Sequence, residues 1–323
     1  MAVWQTELRQ TVIDVTASRN DMAYHHYAVL EDGDSPSYFV KYSSESLLEE
    51  SRTLQYLYNL AQFDPRAPRI PKIYDFFTTF DILRREYLVM EYIPPPTVTI
   101  GKWIADVISW LHACPLPLNA SIGPVGGGII RHRFFRDGDA PIEFASVAAL
   151  EIYINKALSI AARVTPKEPL LTISFTDVPL QFYHGDVTYE NFLIDPDTLD
   201  IWLIDAEDIG ILPAPFSTFA LNGSEDPLLR AVSSNVDIFR WDQMKILYRA
   251  VYWIHMFSNG PFGLDSYGRE TPKKIDDNVS YQDWKLEPLP PPPTLPSKYD
   301  DLQILEVPVL PRRWDTWKFL PSV

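Results

Sequence analysis

The sequence predicts an α+β chain in two lobes, small and β-rich over residues 1–93, larger and mostly helical over residues 94–323. Three observations carry that reading. The first ninety residues mix short apolar, β-branched runs with one amphipathic helix. A triple proline, Pro94 to Pro96, then interrupts the pattern, and proline has no N–H to give to a central ladder. Beyond it, apolar residues recur at helical spacing in three long stretches.

The elements follow in order. "SYFVKYS" (Ser37 to Ser43) is apolar and β-branched enough for a strand. "ESLLEESRTLQYLYNLAQF" is a helix with Leu47, Leu54, Leu57 and Ala61 on one face. "REYLVMEYI" (Arg85 to Ile93) is a second strand, closed by the prolines. In the larger lobe "GKWIADVISWLHAC" reads as a helix and "GPVGGG" (Gly123 to Gly128) as a loop. "SVAALEIYINKALSIAARV" is a helix with Val147, Leu150, Ile154, Leu158 and Ala161 in one stripe. "FYHGDVTYENFLID" (Phe182 to Asp195) and "LDIWLIDAEDIG" form two short strands joined by "PDTLD". "NVDIFRWDQMKILYRAVYWIHMF" is a strongly apolar helix. The last forty residues carry "PLPPPPTLP", which favours polyproline II along the surface, with a docking motif for an SH3-type partner as the competing reading.

Composition excludes several classes. A net charge of −15 argues against nucleic acid or an anionic membrane as the main partner, since both need basic surface. It suits a cationic substrate, although an acidic surface for solubility explains it more simply. Cys114 is the only cysteine, so neither a disulfide framework nor a cysteine-based zinc site is expected. "MAVWQTELRQ" lacks the basic-then-apolar pattern of a signal peptide, and no apolar run is long enough to span a bilayer. A soluble, cytoplasmic chain is the expectation.

The chemistry concentrates in "FYHGDVTYENFLID". Taken alone, this is either a catalytic loop between strands or a polar surface turn. Asp186 and Asn191 are five residues apart, and Asp205 lies fourteen beyond Asn191. Such an arrangement suits phosphoryl transfer from a nucleotide. One carboxylate takes or orients the proton of the attacking hydroxyl, while an Asn carbonyl and a second carboxylate hold Mg2+, which bridges the phosphates. A hard cation prefers oxygen ligands, and phosphates and water complete its octahedron. His184 beside a carboxylate invites a hydrolase reading, but no G-x-S-x-G elbow accompanies it, and a bracing role fits better.

"HGDVTYEN", together with Asp205 in "LIDAEDIG", resembles the motifs of the aminoglycoside phosphotransferase family, small-molecule kinases with a protein-kinase-like fold. More loosely, "GPVGGG" and its flanking helices resemble fungal members. The resemblance implies Asp186 as catalytic base and Asn191 and Asp205 as Mg2+ ligands. It also implies ATP or GTP as phosphoryl donor and a small-molecule hydroxyl as acceptor. Gly185 stands where protein kinases usually carry an Arg that reads a phosphorylated loop, which argues for a permanently assembled site and against a protein kinase. No Ala-Pro-Glu segment follows Asp205.

A kinase-type site needs further parts. Lys41 ends the apolar run "YFV", and Glu50 falls on the apolar stripe of the next helix, where a carboxylate is costly unless paired. Lys41 is the natural partner, with its ammonium left to touch the α- and β-phosphates. A Glu50 at the stripe's edge that reaches water fits equally. By the same resemblance "MEYI" is the hinge, with Met90 lining the pocket and Glu91 carbonyl and Ile93 N–H contacting the base. An interior strand with no ligand is the alternative. One part is missing: no Gly-rich phosphate loop precedes Lys41, where Gly33 is isolated and "ASRND" would have to cover the phosphates. That departure keeps a pseudokinase-like binding module alive as a second hypothesis. "GPVGGG" lacks the Lys-Ser/Thr of a P-loop, and reads either as a flexible loop near the acceptor with Arg131, His132 and Arg133 or as ordinary surface. Glu207 is left open between acceptor binding and structure; Asp208 reads as structural.

Overall fold

The computed structural model describes residues 3–17, 25–32, 35–80, 84–93, 101–164, 169–195, 198–222, 226–257 and 260–271. "ASRND" after Ala17, the turn at Gly33, the triple proline and the Pro-rich tail therefore lie outside the described residues.

The N-terminal part is an antiparallel sheet of β1 (His25–Asp32), β2 (Ser35–Ser43), β3 (Ile73–Phe80) and β4 (Arg84–Glu91), in the order β1-β2-β4-β3. Register divides its two faces. Val40 lies opposite Val89 and Tyr42 opposite Tyr87, and these four pack against Val12 of helix α1 (Val3–Ala17). Lys41 lies opposite Leu88 and Phe39 opposite Met90, on the other face. Strand β4 is central, so five of its eight residues in a row are buried rather than alternating. Helix α1 was not legible as an element. It is held to β3 by Arg9, whose Nε and Nη2 donate to the two Asp75 carboxylate oxygens at 2.6 and 2.8 Å.

Helix α2 (Leu48–Ala61) covers the Lys41 face. Its buried residues, Glu50, Thr53, Leu54 and Leu57, recur at the three- and four-residue spacing of one helical stripe. Leu54 and Leu57 are fully buried, each contributing about 1.5–3 kcal/mol of apolar burial. They join a core shared with α3 (Gly101–Ala113), Leu88 and Met90 of β4, and Phe182 and Phe192 around the loop at Asp186. One core thus spans the β-rich and the helical parts.

The helical part continues with α4 (Val147–Val164), α5 (Ala214–Leu221), α6 (Pro227–Ser233) and α7 (Met244–Phe257). Helices α4 and α7 enclose a second core with Phe134, Phe135 and Tyr183. The last helix starts at Met244, not at Asn235 as its apolar content suggests. The preceding stretch is used otherwise: Trp241 stacks on Phe175, and Gln243 accepts a hydrogen bond from the Ser174 N–H at 2.9 Å. "LDIWLIDAEDIG" likewise splits in two, β7 (Ile201–Leu203) and β8 (Ile209–Pro213), with a tight turn between. The former pairs with β6 (Phe192–Ile194), the latter with β5 (Leu180–His184). No helix among the described residues is long and apolar enough to cross a membrane.

Candidate active site

Two short antiparallel pairs build the floor of the site. His184 is opposite Ile209 in the β5–β8 pair, so the chain leaves β5 directly beside the 205–208 turn. Gly185 N–H donates to the Asp208 carbonyl at 2.8 Å and ties the two together. Gly185 has to be small: a Cβ there would lie 3.0 Å from the Arg131 carbonyl oxygen and 3.3 Å from that of Asp208. In the β6–β7 pair Phe192 is opposite Leu203, which makes Asn191 and Ile204 neighbours, and Ile204 N–H donates to the Asn191 carbonyl at 3.2 Å. The residues read as metal ligands, Asn191 and Asp205, therefore sit at the ends of paired strands.

Inside the loop, Asn191 donates its side-chain amide to the Asp186 carbonyl at 2.8 Å and to Asp186 Oδ2 at 3.3 Å. With the amide nitrogen so engaged, the Asn191 side-chain oxygen is the atom left for a cation. His184 accepts the Asp186 N–H at Nδ1, 3.2 Å away, so its neutral ring carries the proton on Nε2. Nε2 is buried without a hydrogen-bond partner, and burial pulls the imidazole pKa down to about 4. It braces the loop as a neutral ring.

Lys41 forms the roof. Its Nζ is 2.9 Å from Glu50 Oε2, 3.6 Å from Asp205 Oδ1 and 2.7 Å from Glu207 Oε2. Glu50 is thus paired, and the water-facing alternative is set aside. Burial works against the ammonium, but Asp205, Glu50 and Glu207 outweigh it and hold its pKa well above the ordinary lysine value. Burial raises the Glu50 carboxyl to about 7 against the pull of Lys41. Glu50, Asp205 and Glu207 are the one His/Cys/Asp/Glu group among the described residues with ligand atoms close enough to share a cation. They are not equivalent. The Glu50 and Glu207 side chains are 3% and 6% exposed and already face Lys41, whereas Asp205 is 39% exposed. Asp205 is the most exposed carboxylate of the three, and with Asn191 it could offer oxygen donors of the hard kind that Mg2+ prefers.

The structure gives a place to Glu207, which the sequence leaves open, and adds two residues that the sequence does not single out. Glu207 is buried between Lys41 and Arg131, whose Nη1 donates to Glu207 Oε1. Both of its carboxylate oxygens face these cations. Its spacing of two residues from Asp205 was the available signal. Tyr27 and Val29 lie opposite Lys41 and Phe39 on the same sheet face, and Tyr27 stacks on Phe39 with centroids 5.7 Å apart. Tyr27 and Val29 are 41% and 39% exposed, an apolar surface beside the lysine that the alternation in "HHYAVLED" could have revealed. Met90 is buried in the shared core, Glu91 ends β4, and Ile93 follows it.

The glycine loop is tied to α2 and β8 by hydrogen bonds. Val125 N–H donates to Thr53 Oγ1 of α2 at 3.1 Å, and Gly123 exchanges two hydrogen bonds with Ile211 of β8. His132 is buried, with Nε2 3.0 Å from the Phe216 carbonyl, and Arg133 donates to the carbonyls of Phe219 and Asn222. Of the basic trio, only Arg131 reaches the site.

The chain is an α+β protein with a β-rich N-terminal region and a helical C-terminal part, and where these meet a lysine gripped by carboxylates from two parts of the chain sits beside an Asp–Asn loop. A sequence profile of the phosphotransferase enzyme family matches residues 23–214, more than half of the chain, and the chain belongs to that family. Among solved structures it resembles a spectinomycin phosphotransferase in complex with ADP and spectinomycin (13% identity, 76% of this chain and 85% of that one, TM-score 0.40). It also resembles a microcompartment-associated aminopropanol kinase (15% identity, 76% and 89%, TM-score 0.43). A third is a macrolide 2'-phosphotransferase from Brachybacterium faecium (13% identity, 79% and 90%, TM-score 0.34). At these identities and TM-scores the likenesses carry no argument about activity. No curated protein matches the chain significantly. The fungal affinity read from "GPVGGG" finds no support in these matches.

Proposed function

We propose that the chain is a small-molecule phosphotransferase that moves the terminal phosphoryl group of ATP or GTP to a substrate hydroxyl. The observation that supports this best is the meeting of Lys41, Glu50 and Asp205, drawn from a strand, a helix and a distant turn to within 3.6 Å of one ammonium. Asp186 accepts or orients the acceptor's hydroxyl proton, with Asn191 and His184 holding its backbone. Asn191 and Asp205 would hold Mg2+, which would supply positive charge against that developing on the phosphates. Lys41, kept in place by Glu50, contacts the α- and β-phosphates. Tyr27, Val29 and Phe39 form an apolar ceiling for the base, with Met90, Glu91 and Ile93 at its hinge edge. Residues 1–93 then form the donor lobe and residues 94–323 carry the catalytic loop and acceptor region. The single cysteine is buried, consistent with a reducing cytoplasm.

The acceptor is identified by class only, a small molecule with a hydroxyl group, and the net charge of −15 suits one that carries an amine. The test is incubation of purified protein with labelled nucleotide, Mg2+ and a panel of hydroxyl-bearing metabolites. Transfer that is lost in Asp186→Ala supports the reading, and full transfer by that variant contradicts it. Nucleotide binding with no transfer to any acceptor would favour the binding module, which the missing Gly-rich loop suggests.

A further inference from the structure

The segment from Gly123 to Arg131 touches both α2, which carries Glu50, and Glu207, two of the partners that meet Lys41. At its start Gly123 N–H donates to the Ile211 carbonyl at 2.9 Å, and Ile211 N–H donates back at 2.8 Å. That fixes the segment to β8, and through the β5–β8 pair to the strand that leads into Asp186. In the middle, Val125 N–H donates to Thr53 Oγ1, and Thr53 is three residues after Glu50, on the same buried stripe of α2. Gly126 and Gly128 have φ of +89° and +133°, which favours glycine, and lie against α2: added Cβ atoms would come 3.0 Å from Arg52 Cδ and 2.7 Å from Glu49 Cγ. At its end, Tyr183 Oη donates to the Arg131 carbonyl at 3.0 Å, and Arg131 Nη1 donates to Glu207 Oε1.

Glu207 is the pivot. One of its oxygens faces Arg131 and the other faces Lys41 at 2.7 Å. A carboxylate held by a cation on each oxygen has no rotational freedom left, so the Arg131 guanidinium sets where Glu207 Oε2 points. The balance of charge also matters. Three carboxylates surround Lys41, and without Arg131 the buried Glu207 would have Lys41 as its main counter-charge and would draw the ammonium from the phosphates.

We propose that residues 123–131 are the positioning element of Lys41, acting through Arg131 and Glu207 on one side and through Thr53 and the helix of Glu50 on the other. This rests on the donor-site reading of Lys41 above. Arg131 is a positioning residue: it does not touch the nucleotide, and its influence passes through Glu207.

The test is a double-mutant cycle read by calorimetric titration of the folded protein with Mg-ATP and Mg-GTP. Arg131→Gln weakens nucleotide binding about tenfold, the equivalent of one lost charge-assisted hydrogen bond. In a Glu207→Gln background the same Arg131→Gln change costs less than about twofold, because the intermediary is gone. Arg131→Lys, which keeps the charge but not the fork, falls between. Asp139→Asn, which removes the more distant Arg131 contact at 3.8 Å, leaves the affinity unchanged. A loss from Arg131→Gln that is equal in both backgrounds, or absent in both, overturns the proposal while leaving the donor site standing. Failure of the unmutated protein to bind either nucleotide overturns the donor-site reading itself, and the positioning role with it.

Discussion

The side-chain amide of Asn191 is fastened to the backbone carbonyl of Asp186 at 2.8 Å, so the proposed base and one proposed metal ligand move as one body. Asp205 follows them, because Ile204 N–H is bound to the Asn191 carbonyl. Asn191→Ala removes an oxygen donor and the brace together. The expected result is at least a tenfold loss of turnover and a raised Mg2+ requirement, an order of magnitude that matches the loss of one charge-assisted contact. Initial rates across a Mg2+ series check it; an unchanged Mg2+ dependence would remove Asn191 from the ligand set.

Gly185 is the point where three chain segments touch. A methyl group there meets the Arg131 carbonyl oxygen at 3.0 Å and the Asp208 carbonyl at 3.3 Å, both backbone atoms that cannot swing aside. Gly185→Ala should cost about 1–3 kcal/mol of stability by overpacking. It should also displace Asp186, so turnover falls more than nucleotide affinity. Urea unfolding and nucleotide titration of the same preparation separate the two effects, and a variant with normal turnover would show that the loop tolerates the shift.

Acid stability should reflect the buried histidines. Burial holds His112 and His184 at about 4 and His132 at about 3, well below the ordinary value near 6.5. A depressed pKa means that the unfolded chain binds protons that the folded chain refuses, so stability is full above about pH 6.5 and lost as pH falls toward 4. Each fully titrating group contributes a slope of about 1.4 kcal/mol per pH unit in that window. The Glu50 and Asp208 carboxyls, raised by burial, work the other way. The check therefore compares urea midpoints from pH 7 down to pH 4 with those of His132→Gln: the unmutated protein should lose more stability on acidification than the variant, and equal losses would mean that the ring is hydrated.

The apolar ceiling separates binding from stability. Tyr27 is 41% exposed, so Tyr27→Ala should change stability little yet weaken Mg-nucleotide binding several-fold by removing part of the surface that covers the base. Parallel melting and titration experiments check it. A stability loss as large as that of a core substitution, with no change in affinity, would place Tyr27 in the fold and not in the site.

How much of this was legible in the sequence varies from residue to residue. Strands at Lys41 and Met90, and the helices at Leu54 and Leu150, follow from local patterning, whereas the carboxylate on an apolar stripe leaves Glu50 open between Lys41 and water until the structure places it at 2.9 Å from the ammonium. Helix α1 was missed because what holds it is distant in sequence, the Arg9–Asp75 pair and the packing of Val12 on the sheet, which no local pattern encodes. Arg131 and Glu207 are each visible as candidates but not as a pair: they are 76 residues apart and meet only when β8 and the glycine loop are paired. The helix expected from Asn235 starts at Met244 because tertiary contacts of Trp241 and Gln243 override apolar content. Long-range charge pairs and the tertiary contacts of single side chains were the blind spots; periodic burial was not.

The central claim is that Lys41, Asn191 and Asp205 hold a magnesium nucleotide. A ligand that binds only the folded state must raise its melting temperature by mass action. The most direct measurement is thermal unfolding with millimolar ATP or GTP, with and without Mg2+, on the unmutated protein, Asp205→Ala and Asp186→Asn. A Mg2+-dependent rise of several degrees in the unmutated protein and in Asp186→Asn, abolished in Asp205→Ala, is the predicted result. No shift with either nucleotide, or a shift that survives in Asp205→Ala, would contradict it.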